Sequence, residues 1–562
     1  MHERDDATQH RACMHTDARR RTSDAPTGNL FRQSSRSISF SILIITILAA
    51  TKGFAEGAKI LLVSSFPGVS HWLTFEHIVN ELLARGHEVT AISNYRLKSS
   101  NYTDRYREVL IEPTFDFESD LPMESYYRST AFSSPFFKLK ILWWLGLATT
   151  KHAFETNNVQ QFLQEEGLRY DLVIAEQFVQ EAFLMFGHKY QSPIVTINTL
   201  GYTDYIDRAF GMITPLSFVP HFFTELTDEM TFFERCYNVI VTTYDWAYRK
   251  FVYLPKQTAM ARKYFTKENG SGELLPTVEQ LDMNVSVTLA NSNIVSFRPR
   301  PKMIGMVDIA GCHIRQPKDL PRDVKNFVES SPSGTIYINF GTFLRSSAMP
   351  ADTLQVFLQV FRNLPQYHFL WKWESNQVPD LPPNVMVRKW LPQNDVLASS
   401  HIKLFVSHGG IFGSQESIYW GRPMLFVPFY GDQHSNALKF ERHGIGLTLN
   451  IANVTVHEFQ HKIRQIVDNA DYQNNANRVS SLFRDNPVDP LQEAVFWIEY
   501  VIRHRGAPHL KSAAVRLPWY QYLLLDVVAL AILILYVAIW ISRKLFTILC
   551  RNNKIEPKKK KQ

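Results

Sequence analysis

The stretch from Trp390 to Gln433 reads WLPQNDVLASSHIKLFVSHGGIFGSQESIYWGRPMLFVPFYGDQ, and its character changes several times along the way. Leu404–Ser407 is a short apolar, β-prone run, and His408-Gly409-Gly410 follows at once. A helical segment then extends to about Tyr419, where Gly421 and Pro423 close it, and Met424–Val427 is a second apolar run ended by Pro428. Strand, glycine turn, helix, strand is the unit that aims backbone N–H groups at an anion from a helix N-terminus. Glycines at 409 and 410 let a diphosphate approach the backbone closely.

The polar residues around this turn are spaced to hold the rest of a nucleotide-sugar. Glu416 lies eight residues past His408, on the helix, where a carboxylate can take both hydroxyls of a ribose. Trp390 offers a face for a base and Gln393 an amide for its sugar, while Asp432-Gln433 ends the next strand, where a transferred sugar would expose its hydroxyls. Read together, W-x-x-Q…H-G-G-x(5)-E…D-Q resembles the donor-site block of the UDP-glycosyltransferases. The resemblance implies UDP-sugar binding by these residues, with His408, Gly410, Gly413 and Ser414 on the diphosphate, the last two through their amides. Two positions depart from the pattern: Phe412 replaces a common Asn, and Arg422 stands where a small aliphatic residue is usual.

At 562 residues the chain has room for two or three domains with substantial cores. Charged residues are 20% and apolar ones 45%, the balance of a globular chain rather than a disordered one. The net charge of +7 belongs to the ends. Eight Lys/Arg against one Glu follow from Ser542 onward, and seven Lys/Arg against five acidic residues precede Ile38, so the body between is slightly acidic. Nothing here supports a nucleic-acid partner. The four cysteines, Cys13, Cys236, Cys312 and Cys550, have no metal-ligand spacing. Cys236 and Cys312 allow at most one disulfide, and free buried thiols are the expected state.

Residues 1–37 read as a disordered leader, and 38–57 as a signal peptide whose apolar run, Ile38–Ala50, is too short to span a bilayer. Lys59–Ser64 then reads as a buried strand. Ser70 is the expected N-cap of a helix whose apolar face is Phe75, Ile78, Val79, Leu82 and Leu83; Gly86 stops it, and Glu88–Ser93 is the next strand. His71 opens this helix, where the partial positive charge disfavours a charged imidazole and suits a base. The run G-V-S-H-W…E-L-x-x-R-G-H-E-V-T resembles the family's N-terminal block, which implies that His71 is the catalytic base; His87, in the same motif, is assigned to packing. Such a base commonly has a carboxylate to orient it. Tyr170–Gln177 is a strand with Glu176 at its C-terminal end, where relatives commonly place Asp, and Asp171 at its start is the alternative partner.

Tyr102–Leu147 and Tyr202–Phe265 are rich in aromatic residues, either an acceptor lining or ordinary core, and Phe132–Trp144 could dip into a membrane surface. Sequons stand at Asn101, Asn269, Asn284 and Asn453. Asn291–His313, stiffened by Arg298-Pro299-Arg300-Pro301, resembles the family's interdomain region. Gly334–Phe340 is a strand leading into Phe340-Gly341-Thr342, so Thr342 can reach the diphosphate from the opposite wall. Ile451–Leu482 reads as one helix, and Asp485–His509 resembles the segment that closes back on the first lobe. Leu517–Ile541 is long enough to cross a ~30 Å hydrocarbon core, with Trp519, Tyr520 and Trp540 marking the interfaces and Asp526 near one end. The basic residues beyond it are expected in the cytosol, and Lys559-Lys560-Lys561-Gln562 matches a K-K-x-x retrieval tail.

The resemblance implies an α/β, GT-B-like fold of two Rossmann-like domains facing across a cleft. Residues 58–310 would bind the acceptor and 311–484 the UDP-sugar. Residues 485–516 would hold the closing helix and juxtamembrane segment, 517–541 a transmembrane helix and 542–562 a basic tail. It also implies inverting transfer of a hexose, glucose by likeness to insect members, to a hydroxyl of a small lipophilic acceptor. No D-x-D occurs in the chain, so no metal and no other cofactor is expected. The implied setting is the endoplasmic reticulum membrane, single-pass, catalytic domains luminal, with homo- or hetero-oligomers open. Two other readings share these residues: a non-catalytic binder of a lipophile or UDP-sugar, and a transferase acting on a ceramide or sterol.

Overall fold

The computed structural model describes residues 57–98, 101–102, 104–117, 123–128, 134–266, 275–375 and 378–552. The leader, the signal segment up to residue 56, the sequon at Asn269 and the K-K-x-x tail lie outside the described residues.

Two sheets, parallel throughout, organise the chain. The first contains β1 (Lys59–Ser64), β2 (Glu88–Ser93), β3 (Tyr106–Leu110), β4 (Leu172–Glu176), β5 (Ile194–Asn198), β6 (Val287–Ala290) and β7 (Met306–Asp308), in the order β3-β2-β1-β4-β5-β6-β7. The second contains β8 (Thr335–Asn339), β9 (His368–Lys372), β10 (Val385–Arg388), β11 (Ile402–Ser407), β12 (Met424–Phe426) and β13 (Gly446–Thr448), in the order β10-β9-β8-β11-β12-β13. Strands covered on both faces must be apolar throughout, which is why Ile60–Val63 and Leu172–Ala175 are uninterrupted hydrophobic runs and fully buried. Each sheet winds one way from its first strand and the other way from a later neighbour, so the order reverses between β1 and β4 and again between β8 and β11. Adjacent connections leave in opposite directions at such a reversal and open a crevice at the carboxyl ends of the strands.

The helices that matter for the site are α1 (Val69–Ala84), α2 (Pro135–Glu155), α3 (Asp204–Ala209), α4 (Phe232–Tyr248), α5 (Ile411–Tyr419), α6 (Val456–Val467), α7 (Ala470–Arg484), α8 (Pro490–Arg503) and α9 (Leu525–Asn552). The expected face of α1 is fully buried at Phe75, Ile78, Val79, Leu82 and Leu83. Its cap differs from the expectation: extended Gly68 precedes the helix and Ser70 lies inside the first turn. The single helix expected over Ile451–Leu482 is two, α6 and α7. Asn469 starts the second by accepting from the Asp471 amide (2.9 Å), a local bond that competes with helix continuation.

The closing helix α8 returns to the first lobe, as the resemblance implied. Ala494, Val495, Ile498 and Val501 share a core with the buried face of α1. At the rim, Arg85 donates to Glu81 (3.0 Å), Glu499 (3.1 Å) and Gln492. His87 has the packing role expected of it: its Nδ1 accepts from the Ala58 amide (3.1 Å) and its Nε2 lies 3.4 Å from Glu499.

At the C-terminal end the apolar helix starts later than the expected 517–541. Trp519–Tyr522 is a separate turn, Leu524 has φ 55°, and the continuous helix begins at Leu525. Leu525–Arg551 is long and apolar enough to cross a membrane. Cys236 and Cys312 are both free, and Cys236 is exposed rather than buried because it falls on the outward face of α4.

Truncating Ile498, fully buried between α8 and α1, is expected to cost about 2–5 kcal/mol. Ile498→Ala should lower the thermal midpoint of the detergent-solubilised full chain, whereas Arg503→Ala, on the exposed side, should leave it within error.

A candidate active site at the two strand reversals

The first reversal carries a histidine–carboxylate pair. Val63 on β1 lies opposite Ala175 on β4, so the residues just beyond both strands converge. His71, in the first turn of α1, and Glu176, the last residue of β4, meet with Nδ1 2.5 Å from Oε1. An ionised carboxylate only accepts, so Nδ1 is the donor of this bond and Nε2 is the ring nitrogen turned away from Glu176. Thr199 donates to the same Glu176 oxygen (3.2 Å) with its Oγ1 2.9 Å from His71 Nδ1, and Ser64 donates to the other oxygen (3.3 Å). Asp171, the alternative partner, instead accepts from the Lys59 amide (2.8 Å) at the far end of the strand. Phe66 (4.6 Å) and Phe178 (4.8 Å) flank the imidazole, and Phe412 of the second lobe lies 6.4 Å away, centroid to centroid. Gly68 is required here, since a Cβ would come within 2.9 Å of the His71 ring.

The second reversal carries the glycine turns. Ser407 on β11 pairs with Asn339 on β8, which sets His408 beside Gly341. A Cβ on Gly341 (φ +89°) would stand 2.9 Å from the His408 ring, and one on Gly410 2.4 Å from its Nε2. Burial pushes His408 down to about 4, so the ring is neutral at pH 7 and offers one N–H rather than a charge. Lys372 supports the turn from behind by donating to Gly341 O (2.9 Å) and Glu374 (2.7 Å). Thr342 is exposed beside this turn.

Helix α5 corrects the expectation about amides. Gly410 is its N-cap and the Ser414 amide already donates to Gly410 O (3.0 Å), so the orphan donors of the first turn belong to Ile411, Phe412 and Gly413. Ser414 is wholly buried and does not face the crevice. Phe412 packs at 5.0 Å on His313 as well as reaching toward His71, an apolar wall where an amide was usual.

Of the remaining donor residues, Gln393 and Glu416 belong to one hydrogen-bonded chain. Gln393 donates to Glu416 (2.5 Å) and accepts from Asn339 (2.7 Å) and Tyr337 (3.3 Å), while Asn339 accepts from the Gly341 amide (2.9 Å). The acid expected on a ribose is thus tied to the turn expected on the phosphates. Burial raises Glu416 to about 7. Trp390 is 55% exposed, with the Lys98 ammonium of the first lobe 5.2 Å from its ring centroid. Asp432 accepts from Asn436 (2.6 Å), which also donates to Gly409 O (3.0 Å); Gln433 Oε1 accepts from the amides of Phe429 (2.8 Å) and Tyr430 (3.1 Å). Arg422 now has a role: its Nε donates to Leu397 O (2.9 Å), closing the end of the short helix Gln393–Ala398. Thr199, Ser64, Asn339, Lys372 and Asn436 escaped the sequence reading. Of these only Asn339, two residues before Gly341, stood beside a motif.

Among the described residues one group with metal-ligand character occurs, Asp204, His221 and Asp245, all buried in the first lobe. His221 accepts from the Phe223 amide at Nδ1 (3.3 Å) and so donates from Nε2 to Asp245 (3.1 Å), a hydrogen-bonded arrangement. Asn101, Asn284 and Asn453 are exposed.

Two α/β lobes with a histidine–carboxylate pair at one crevice and a glycine-turn anion site at the other define a nucleotide-sugar-dependent transferase. Solved structures agree on the fold. The calicheamicin glycosyltransferase CalG4 matches with a TM-score of 0.50 at 16% identity, over 80% of this chain and 99% of that one. Glycosyltransferase VinC in complex with dTDP matches with a TM-score of 0.51 at 15% identity, over 79% and 100%. The chain has the GT-B fold. In sequence, the family described as UDP-glucoronosyl and UDP-glucosyl transferase matches residues 58–561. UDP-glycosyltransferase UGT5 of Dactylopius coccus is 33% identical over 484 residues, 85% of this chain and 89% of that protein. UDP-glucuronosyltransferase 1A8 of Rattus norvegicus is 30% identical over 524 residues, 91% and 95%. The chain belongs to this family, the UDP-glycosyltransferases, which move a sugar from UDP to an acceptor.

The resemblance assigns Glu416 to the ribose of UDP, and that role would make UDP binding depend on pH. Ribose hydroxyls donate to a carboxylate, so binding favours its ionised form and releases a proton wherever the free group is protonated. UDP affinity should therefore weaken as pH falls from 8 through about 7 to 6, by up to about tenfold per unit below the midpoint. Titration calorimetry in buffers of different ionisation heat checks this, and Glu416→Gln should bind more weakly with a flat profile.

Proposed function

We propose that this chain is an inverting, metal-independent glucosyltransferase that moves glucose from UDP-glucose to a hydroxyl of a small lipophilic acceptor. The observation that carries the reading is the His71–Glu176 bond of 2.5 Å, with the imidazole ringed by Phe66, Phe178 and Phe412. Nε2 takes the proton of the acceptor hydroxyl while that oxygen bonds to the anomeric carbon. Glu176, already hydrogen-bonded to Nδ1, stabilises the imidazolium that results. Attack comes from the face opposite UDP, the bond from the anomeric carbon to the diphosphate oxygen breaks, and its electron pair leaves with UDP. An α-linked donor thus gives a β-glycoside. The leaving diphosphate accepts from the amides of Ile411, Phe412 and Gly413, the neutral His408 ring and Thr342, donors fixed before charge develops. Trp390 stacks the uracil, Gln393 and Glu416 hold the ribose, and Asp432 and Gln433 hold the hexose.

Glucose as the donor sugar is supported by likeness to insect relatives, among them UDP-glucosyltransferase 2 of Dactylopius coccus, 30% identical over 512 residues. An acceptor without charge fits the aromatic surroundings of His71. The apolar helix Leu525–Arg551 and the basic residues after it support a single-pass anchor in the endoplasmic reticulum membrane with both lobes luminal, where the exposed Asn101, Asn284 and Asn453 would meet the glycosylation machinery.

Microsomes carrying the full chain, His71→Ala or Glu176→Gln at equal level should be offered UDP-glucose, UDP-glucuronic acid and UDP-galactose with a panel of phenols, flavonoids, sterols and terpenols. Transfer from UDP-glucose should survive EDTA, fall roughly 10²–10⁴-fold in His71→Ala, and fall in Glu176→Gln with the product's β-configuration unchanged. Stabilisation by UDP-glucose without consumption of any donor would instead establish a non-catalytic binder, and turnover lost with EDTA would exclude the metal-free mechanism.

A further inference from the structure

Helix α4 is built inside out. Its inward face is mostly polar: Asn238, Thr242 and Asp245, continued by Arg249, are buried beside a single apolar residue, Val241. Asn238 donates to the carbonyls of Leu216 and Val219 (both 2.9 Å) and accepts from the His221 amide (2.7 Å). Asp245 accepts from His221, and Arg249 donates to Glu181 (2.5 Å). Its outward face is apolar: Phe232, Phe233, Tyr237, Val239, Ile240 and Tyr244 are all exposed, Phe233 by 80%, and Phe251 continues the row at 66%. Val241 is the one apolar side chain of α4 buried in the core, so most of its aromatic and branched residues are shown to water rather than packed inside. Scattered exposed apolar residues need no explanation, but a contiguous stripe along a whole helix does.

The position of the stripe identifies what covers it. The loop that Asn238 grips runs back to α3, and there it is fastened to the chain entering α9. Lys511 donates to Ala209 O (3.1 Å), the Ile213 amide donates to the Tyr522 hydroxyl (3.3 Å), and a Cβ on Gly211 would meet the Val515 backbone at 2.8 Å. Ile213 and Phe218, both exposed, carry the apolar surface from this attachment toward α4. Exposed Trp519 and Tyr520, the residue types that gather at a lipid–water boundary, sit on the same segment, three turns or fewer before Leu525.

We propose that the outward face of α4 lies in the headgroup region of the bilayer that α9 crosses, so that the acceptor-binding lobe rests on the lipid surface. This rests on the reading of Leu525–Arg551 as a membrane span. An amphipathic helix holds such a surface by burying its apolar face to a depth of roughly 5–10 Å, and the anchor makes the encounter intramolecular. A lipophilic acceptor dissolved in the membrane would then meet the lobe that binds it without crossing water.

Cys236, exposed on this face, is a native probe. The full chain with Cys13→Ser and Cys550→Ser, reconstituted in phosphatidylcholine vesicles, would carry a nitroxide at Cys236 or, with Cys236→Ser added, at Val537→Cys in α9 or at Asn474→Cys on the exposed surface of α7. Relaxation by oxygen and by a water-soluble nickel chelate reads the depth of each label. The Cys236 label should be severalfold less accessible to nickel and more accessible to oxygen than the Asn474→Cys label. Phe233→Glu with Ile240→Glu should return it to the aqueous value, while Val537→Cys stays lipid-exposed. A lipid-exposed Val537→Cys label beside an aqueous Cys236 overturns the proposal alone; an aqueous Val537→Cys label removes the membrane span on which it rests. Spin–spin broadening between Cys236 labels without added oxygen access would assign the face to a second copy of the chain and also overturn it.

Discussion

Two reversals of strand order govern this molecule. Parallel strands joined by right-handed crossovers must move outward in one direction until a strand is laid on the other side of the first. At that place alone two neighbouring connections diverge, and side chains beyond the strand ends are free to meet over a crevice rather than under a helix. Here the β1–β4 contact brings together His71 and Glu176, which lie 105 residues apart, and the β8–β11 contact brings together Gly341 and His408. Neither pair is near in sequence, and both follow from one topological feature repeated in two lobes.

The choice of glutamate over aspartate at the base shows how such a site tolerates change. A longer carboxylate has one more rotor to fix, a loss of conformational freedom that would loosen the grip on His71. Thr199 on one oxygen and Ser64 on the other supply the restraint. The extra methylene is thereby turned into reach, with both carboxylate oxygens tied down. Phe412 closes the third side from the opposite lobe. Its ring also packs on His313, so an apolar wall stands where the resemblance implied an amide.

What was legible in the sequence divides along a physical line. Strands covered on both faces announce themselves as apolar runs, and a glycine turn followed by a spaced acid announces a donor site, because both depend on residues close together in the chain. The β1, β11 and α5 assignments came from such signals, whereas the His71–Glu176 pairing, 105 residues apart, came only from the family resemblance. The misses are of another kind. Ser70 has the chemistry of a cap, but the extended conformation falls on Gly68, which is needed there for the approach of His71. Ser414 is one residue too far into the helix for its amide to be free, a matter of a single hydrogen bond. The break between α6 and α7, the late start of α9 and the use of Arg422 on the Leu397 carbonyl each depend on a partner or a dihedral that hydrophobic period does not record. Thr199 beside His71 and Asn339 beside Gly341 are single polar residues at strand ends with no periodic signature at all.

The two lobes also differ in how tightly their residues are specified, and this difference bears on what each can bind. In the second lobe several polar groups around the glycine turns are held by one another: Glu416 by Gln393, Gln393 by Asn339, Asn339 by Gly341, Asp432 by Asn436, Asn436 by Gly409. Changing one member leaves a buried group unpaired, a loss of about 1–3 kcal/mol before any ligand is considered, so the recognition of UDP is difficult to alter piecemeal. Around His71 the contacts are aromatic rings at 4.6 to 6.4 Å, which exclude water but impose no direction on what lies between them. Apolar walls discriminate weakly, by size more than by identity, whereas hydrogen-bonded sites reject the wrong partner strongly. A fixed donor joined to an adaptable acceptor is what this division of forces produces, and it explains why the nucleotide was readable from the sequence while the acceptor was readable only as a chemical class.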